Sequence, residues 1–153
     1  MSQFRIAQSS NRMYNLGRFL EAQEGWPSYN DALQEIRAGQ KRSHWIWYIF
    51  PQMKGLGYSS YATYYGIESL EEARDYVGHP ILGTRLKEIT KEVIAHQEDN
   101  IVIIMGSGID AMKFHSSMTL FDVVCPNDVF HEALSIFFEG EYDKSTLKLL
   151  GLK

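Results

Sequence analysis

Apolar residues recur along the chain in short runs at helical spacing, and each run is bounded by a residue that starts or stops a helix. Leu16, Phe19, Leu20 and Gln23 share that spacing between Tyr14 and Glu24, and Gly25 ends the segment. Tyr29, Leu33 and Ile36 form a second stripe behind Ser28, a good N-cap, and Gly39 closes it. Tyr61 to Tyr65 predict one helical turn after the glycine-rich connector at 55–60. Ser69-Leu-Glu-Glu72 has the spacing of a capping box and opens a helix to about Val77, stopped by Gly78. His79-Pro80 opens the longest predicted helix, from Pro80 or Ile81 to about Gln97, with Leu82, Leu86, Ile89 and Val93 on its stripe. Further helices are predicted over 116–124 with Ser116 as cap, over 129–138 after Asn127 or Asp128, and over 144–150 between Asp143 and Gly151.

Two runs resist the same treatment. Trp45 to Pro51 and Ile101 to Met105 are continuously apolar, and periodicity cannot separate a buried strand from a buried helix in so few residues. Ser107-Gly-Ile-Asp110 fits a capping pattern, but no long apolar run follows it.

Composition narrows the class. The chain has 153 residues, 44% of them apolar and 13% aromatic, which suits one domain with a sizeable core. Residues 1–13 are polar and predict a flexible N-terminal arm, leaving 14–153 as a single helical domain. A net charge of -4 argues against a nucleic-acid partner, which would need a basic face. One cysteine, Cys125, excludes an intramolecular disulfide and a cysteine metal cluster. No apolar run is long enough for a membrane span, so the expected location is the cytoplasm.

The strong enzyme signatures are missing: there is no P-loop, H-E-x-x-H, G-x-S-x-G or dinucleotide fingerprint. Five scattered histidines lack ligand spacing, so no metal is assigned and the cofactor is unknown. Two polar groupings remain. Lys41-Arg-Ser-His44 leads directly into Trp45 and would favour an anion at an element start, or it is a solvated helix entry. Lys113-Phe-His-Ser-Ser-Met-Thr119 brings a cation and three hydroxyls, more than one cap needs; they line a polar cavity or bond back to their own helix.

Phe19-Leu-Glu-Ala-Gln23, Arg42-Ser-His-Trp45 with Trp47, and Ile49-Phe-Pro-Gln52 resemble a bacterial family known as domain of unknown function 1810. The likeness continues through Ser69, Glu72-Ala-Arg74, His79-Pro80, Arg85-Leu86 and Lys113, and ends at Ser116-Ser-Met-Thr-Leu-Phe121. It implies a mainly helical single domain, which tips the two ambiguous runs toward helix, and it carries no known activity. The polar residues shared with the family pattern are Gln23, Lys41, His44, Trp45, Gln52, His79, Arg85, Lys113, Ser116, Ser117 and Thr119.

The expected architecture is therefore all-α, about six to eight short helices around one core. The expected function is a site for a small anionic or nucleotide-like ligand, with catalysis left open. In it Lys41, Arg85 and Lys113 supply charge, His44 is the general acid or base, and Gln23, Trp45, Gln52, His79, Ser116, Ser117 and Thr119 complete the wall. The alternative is a non-catalytic interaction module using the aromatic surface from Tyr58 to Tyr65. Either the shared polar residues form a pocket or they are a buried network that holds helices together. Oligomeric state is not legible.

Overall fold

A computed structural model describes residues 14–152, so the predicted arm lies outside it. The described residues contain ten helical segments: α1 (Gly17–Glu24), α2 (Tyr29–Arg37), α3 (Ile46–Ile49), α4 (Ser60–Tyr64), α5 (Leu70–Gly78), α6 (Leu82–Ile94), α7 (Ile101–Met105), α8 (Gly108–Val124), α9 (Val129–Phe138) and α10 (Lys144–Leu149). Six of them have seven or more residues, and no strand occurs among the described residues. Met53 and Ile67 form one isolated bridge. The fold is all-α.

Both ambiguous runs are helical, and local chemistry explains why. The Asn100 side chain accepts the Val102 amide at 2.8 Å to start α7. Gly106, at φ +87°, ends it in the left-handed conformation. Capping at both ends outweighs the β-branched preference of so short a run. The Trp45 stretch closes a single turn, with the Ile49 amide on the Trp45 carbonyl at 3.2 Å. Trp45 is fully buried, whereas Trp47 stays partly exposed.

Three expectations need correction. The longest helix is α8, not the one after His79-Pro80, and it starts eight residues before Ser116. Ser107, not Ser116, is the cap: its hydroxyl accepts the Asp110 amide at 3.1 Å. Nothing between 109 and 116 breaks a helix once Ser107 has started it, so Ser116 falls in the interior. The capping box at Ser69 is half made. The Ser69 hydroxyl accepts the Glu72 amide at 3.1 Å, but the Glu72 carboxylate accepts from Glu68 and pairs with Arg18.

α8 is the spine of the core and packs against α3, α5, α7, α9 and α10. Phe114 meets Phe50 edge-on at 4.9 Å, while Phe121 lies 5.4 Å from Tyr76 and 5.7 Å from Phe130. Phe19 of α1 stands edge-on to Tyr76 at 5.0 Å, tying α1 to the same cluster. Between α5 and α6 the chain turns so tightly that a Cβ on Gly83 would lie 2.0 Å from the Val77 carbonyl oxygen. No helix among the described residues is long and apolar enough to cross a membrane.

Candidate functional site

The segment from Lys41 to Trp45 is held by one acid on the preceding helix. Glu35 accepts the Arg42 amide at 2.7 Å, the Ser43 amide at 2.9 Å, the Ser43 hydroxyl at 2.6 Å and the Trp45 indole N–H at 2.9 Å. Partial burial alone would raise its pKa. The Ser43 hydroxyl, the Arg42 amide and the other donors outweigh that, and the carboxyl sits below its usual value.

Lys41 points the other way. Its backbone amide donates to the Ile104 carbonyl at 2.7 Å, docking the segment on the end of α7. Its buried ammonium donates to the Ser43 carbonyl, pairs with Asp110 at 2.8 Å and lies 5.0 Å from the Trp45 ring centre. Asp110 also takes Lys113 at 3.6 Å, and Lys113 sits over Trp47 at 4.9 Å. Lys41, Trp45 and Lys113 are thus brought together, with their charge shared by one carboxylate.

Gln23 and Arg85 form a second group. Arg85 donates to the Gln23 side-chain oxygen at 3.1 Å and pairs with Glu24 at 2.8 Å. Buried Gln23 in turn donates to the Tyr48 carbonyl at 2.8 Å and the Tyr76 hydroxyl at 3.2 Å.

Ser116 and Thr119 belong to a third. Ser116 donates to the Met112 carbonyl and to Asp143, each at 3.1 Å. The Thr119 hydroxyl donates to the His115 carbonyl and accepts the Asp143 amide, each at 2.9 Å. With His115 on the Glu141 carbonyl at 2.7 Å and the Tyr142 hydroxyl donating to Asp122, these contacts tie the 141–143 strap to α8. Ser117 is fully buried and its hydroxyl has no partner among the described residues. His79 caps α6, with Nδ1 accepting the Ile81 and Leu82 amides at 3.1 and 3.2 Å, and desolvation holds its pKa below the usual value. Gln52 is buried, and its backbone carbonyl accepts the Ile67 amide at 2.9 Å.

His44 differs from all of these. It is exposed and has no side-chain hydrogen bond among the described residues. It lines a cleft of about 200 Å³ with Gly25, Trp26, Tyr48, Tyr61 and Tyr65. The Tyr48 hydroxyl is fixed on the Pro27 carbonyl at 2.6 Å, and burial, with nearby tyrosines and acids, pushes its pKa up to about 12. Tyr61 stacks on Trp47 at 4.8 Å, so the cleft wall runs without a break to the ring under Lys113. A larger cleft of about 440 Å³ on the other side of α4 is lined by Arg18, Lys54, Glu68 and Glu72, whose charges pair internally. Among the described residues no group of three His, Cys, Asp or Glu side chains could hold a metal ion.

The family model described as "Protein of unknown function (DUF1810)" matches residues 13–150. The chain belongs to this family. Its structure is similar to the crystal structure of the conserved hypothetical protein Rv1873 from Mycobacterium tuberculosis, with 43% identity and a TM-score of 0.85. That likeness covers 92% of this chain and 99% of the other. No curated protein matches the sequence.

Set on this DUF1810 fold, the polar residues missed in the sequence are acids: Glu35, Asp110, Asp122 and Asp143. Asp110 and Asp143 were visible as capping residues, but their second partners come from distant segments, the loop before α3 for Asp110 and α8 for Asp143. Glu35 carried no signal, because its partners begin seven residues downstream across a turn.

Proposed function

We propose that the protein binds a small, ring-bearing anion in the cleft at His44. One observation carries the reading. Of the titratable residues expected to form a site, Lys41, His79, Arg85 and Lys113 are all engaged by other groups of the fold, and His44 alone has no side-chain partner among the described residues.

The lining suits a flat ring. Tyr61 and Tyr65 offer π-faces, Trp26 is 83% exposed beside them, and His44 supplies the polar contact that orients the ligand. At about 200 Å³ the cleft is smaller than the roughly 300–1,000 Å³ of drug-sized sites, so it takes a single heteroaromatic ring, with any charged substituent directed outward. Gln23 and Trp45 act beneath the site, holding Tyr48 and the His44 segment. The role we assign is binding, and the Tyr48 hydroxyl in the cleft is committed to a carbonyl. A free Cys125, whose thiol burial pushes up, fits a reducing compartment, and we place the protein in the cytoplasm.

A thermal-shift screen of nucleobases, nucleotides and aromatic acids on wild type and His44→Ala tests the proposal. A ligand at a hundred times its Kd should stabilise wild type by about 2.7 kcal/mol and leave His44→Ala nearly unmoved. Equal stabilisation of both proteins, or of neither, overturns it.

A second reading rests on the exposure of Tyr58 (93%), Tyr61 (55%) and Tyr64 (54%), rings of the kind that anchor protein interfaces. A Tyr58→Ala/Tyr64→Ala variant separates the two. It should keep ring-anion binding at His44 and lose a partner that docks on the tyrosines.

A further inference from the structure

A different surface of the molecule carries a site of its own. The cleft beside α10 has a volume of about 480 Å³, within the roughly 300–1,000 Å³ typical of small-molecule sites. Its lining is sharply divided. Leu147, Tyr142 and Leu152 supply the apolar part, and Lys144, Lys148 and Glu141 supply the charge. Leu147 is buried, whereas Tyr142 and Leu152 remain 38% and 43% exposed, an apolar pair that the fold leaves uncovered.

The lysines are the unusual feature. Arg18, Arg37, Lys41, Lys54, Arg85, Lys87 and Lys113 each pair with a carboxylate, and Arg42, Arg74, Lys91, Lys144 and Lys148 do not among the described residues; of these five, Lys144 and Lys148 share one cleft. They stand at i and i+4 on one face of α10, where like charges repel and weaken a short helix. In a chain of net charge -4, two unpaired cations side by side over an apolar floor are a local exception. The Glu141 carboxylate offsets one of them, leaving the cleft net positive.

We propose that this cleft binds an amphipathic anion, a molecule with a linear apolar tail and a carboxylate head. The tail lies on Leu147 between Tyr142 and Leu152, and the head is shared by Lys144 and Lys148. The strap that supplies Tyr142 is rigid: its hydroxyl is bound to Asp122, and the next residue, Asp143, holds Ser116, Thr119 and Thr146. The cleft is therefore formed before a ligand arrives, which lowers the ordering cost of binding.

The test titrates the full chain with decanoate below its micelle concentration, read by amide chemical shifts, with 1-decanol and decyltrimethylammonium as parallel probes. Decanoate should shift the amides of residues 141–152 saturably, and the two other probes should bind far more weakly. Lys144→Glu/Lys148→Glu, both changes at exposed positions, should weaken decanoate binding by about tenfold or more. Leu152→Ser should do the same through the tail, and His44→Ala should leave decanoate binding unchanged. No saturable shift, equal binding of decanol, or an unaffected charge-reversal variant overturns the proposal.

Discussion

The indole N–H of Trp45 donates to Glu35 Oε1 at 2.9 Å, and this contact joins the fully buried tryptophan to the loop that presents His44. Three further donors from Arg42 and Ser43 converge on the same carboxylate. Glu35→Ala would leave the buried indole and loop amides without acceptors, at a cost of about 2–4 kcal/mol. The sign of its pH dependence follows from a folded-state pKa below the ordinary value of 4.5. The stabilisation is complete above 4.5 and is lost as pH falls through the folded value. Urea midpoints taken at neutral pH and in the acid range below 4.5 should fall more for wild type than for Glu35→Ala.

Arg18 and Glu72 form a buried ion pair at 2.9 Å, 7% and 1% exposed. Arg18 also donates to the carbonyls of Asn15, Tyr64 and Gly66, so it ties α1 to the segment behind α4. Removing one partner strands the other, and Arg18→Met should cost about 3–5 kcal/mol. Arg18→Met/Glu72→Leu should cost less than the sum of the single changes. A strictly additive double-mutant cycle in chemical denaturation would show that the pair is uncoupled.

Gly106 holds φ +87° where the α7–α8 corner passes Lys41, and a Cβ there would stand 2.9 Å from the Lys41 carbonyl oxygen. Gly106→Ala combines left-handed strain, about 1–2 kcal/mol, with that clash. A drop in melting temperature is expected, with chemical-shift changes concentrated at Lys41 and Asp110. Gly108→Ala is the control, since a Cβ there meets nothing. Equal effects at the two glycines would contradict the assignment.

The Tyr142 hydroxyl donates to buried Asp122, and this bond, with desolvation, raises the tyrosine pKa from 10.0 to about 12. A raised folded-state value means that the strap's stabilisation is complete below pH 10 and fades between 10 and about 12. Ultraviolet titration of Asp122→Asn should show the ionisation of one of the nine tyrosines, Tyr142, move from about 12 back toward 10.0. An unchanged titration curve would mean that the strap owes nothing to this bond.

Much of the fold was legible in local chemistry. Ser28, Ser69, Asp128 and Asp143 all cap the helices expected of them, because a side-chain oxygen and an orphan amide one residue on (Asp128) or three residues on (the others) are locally related. Ser116 misled, because a serine inside a helix and a serine at its start look alike until a better cap, Ser107, is seen to have begun the helix earlier. The polar residues were harder. The hydroxyls of Ser116 and Thr119 exceed the needs of a cap because they hold Asp143, twenty-four residues or more away.

The sequence by itself determined most of the helices, the ends capped by Ser28, Ser69, Asp128 and Asp143, the apolar faces and the family, because spacing and capping act within a turn or two. Only the tertiary structure decided which cations are spent. Lys41, Arg85 and Lys113 look available along the chain, yet each meets a carboxylate: Glu24 for Arg85, and Asp110 for both lysines. A buried ammonium must be paired, and the partner comes from whatever helix packs beside it, which no local pattern records. That selection leaves His44 facing its aromatic cleft, and Lys144 and Lys148 over theirs.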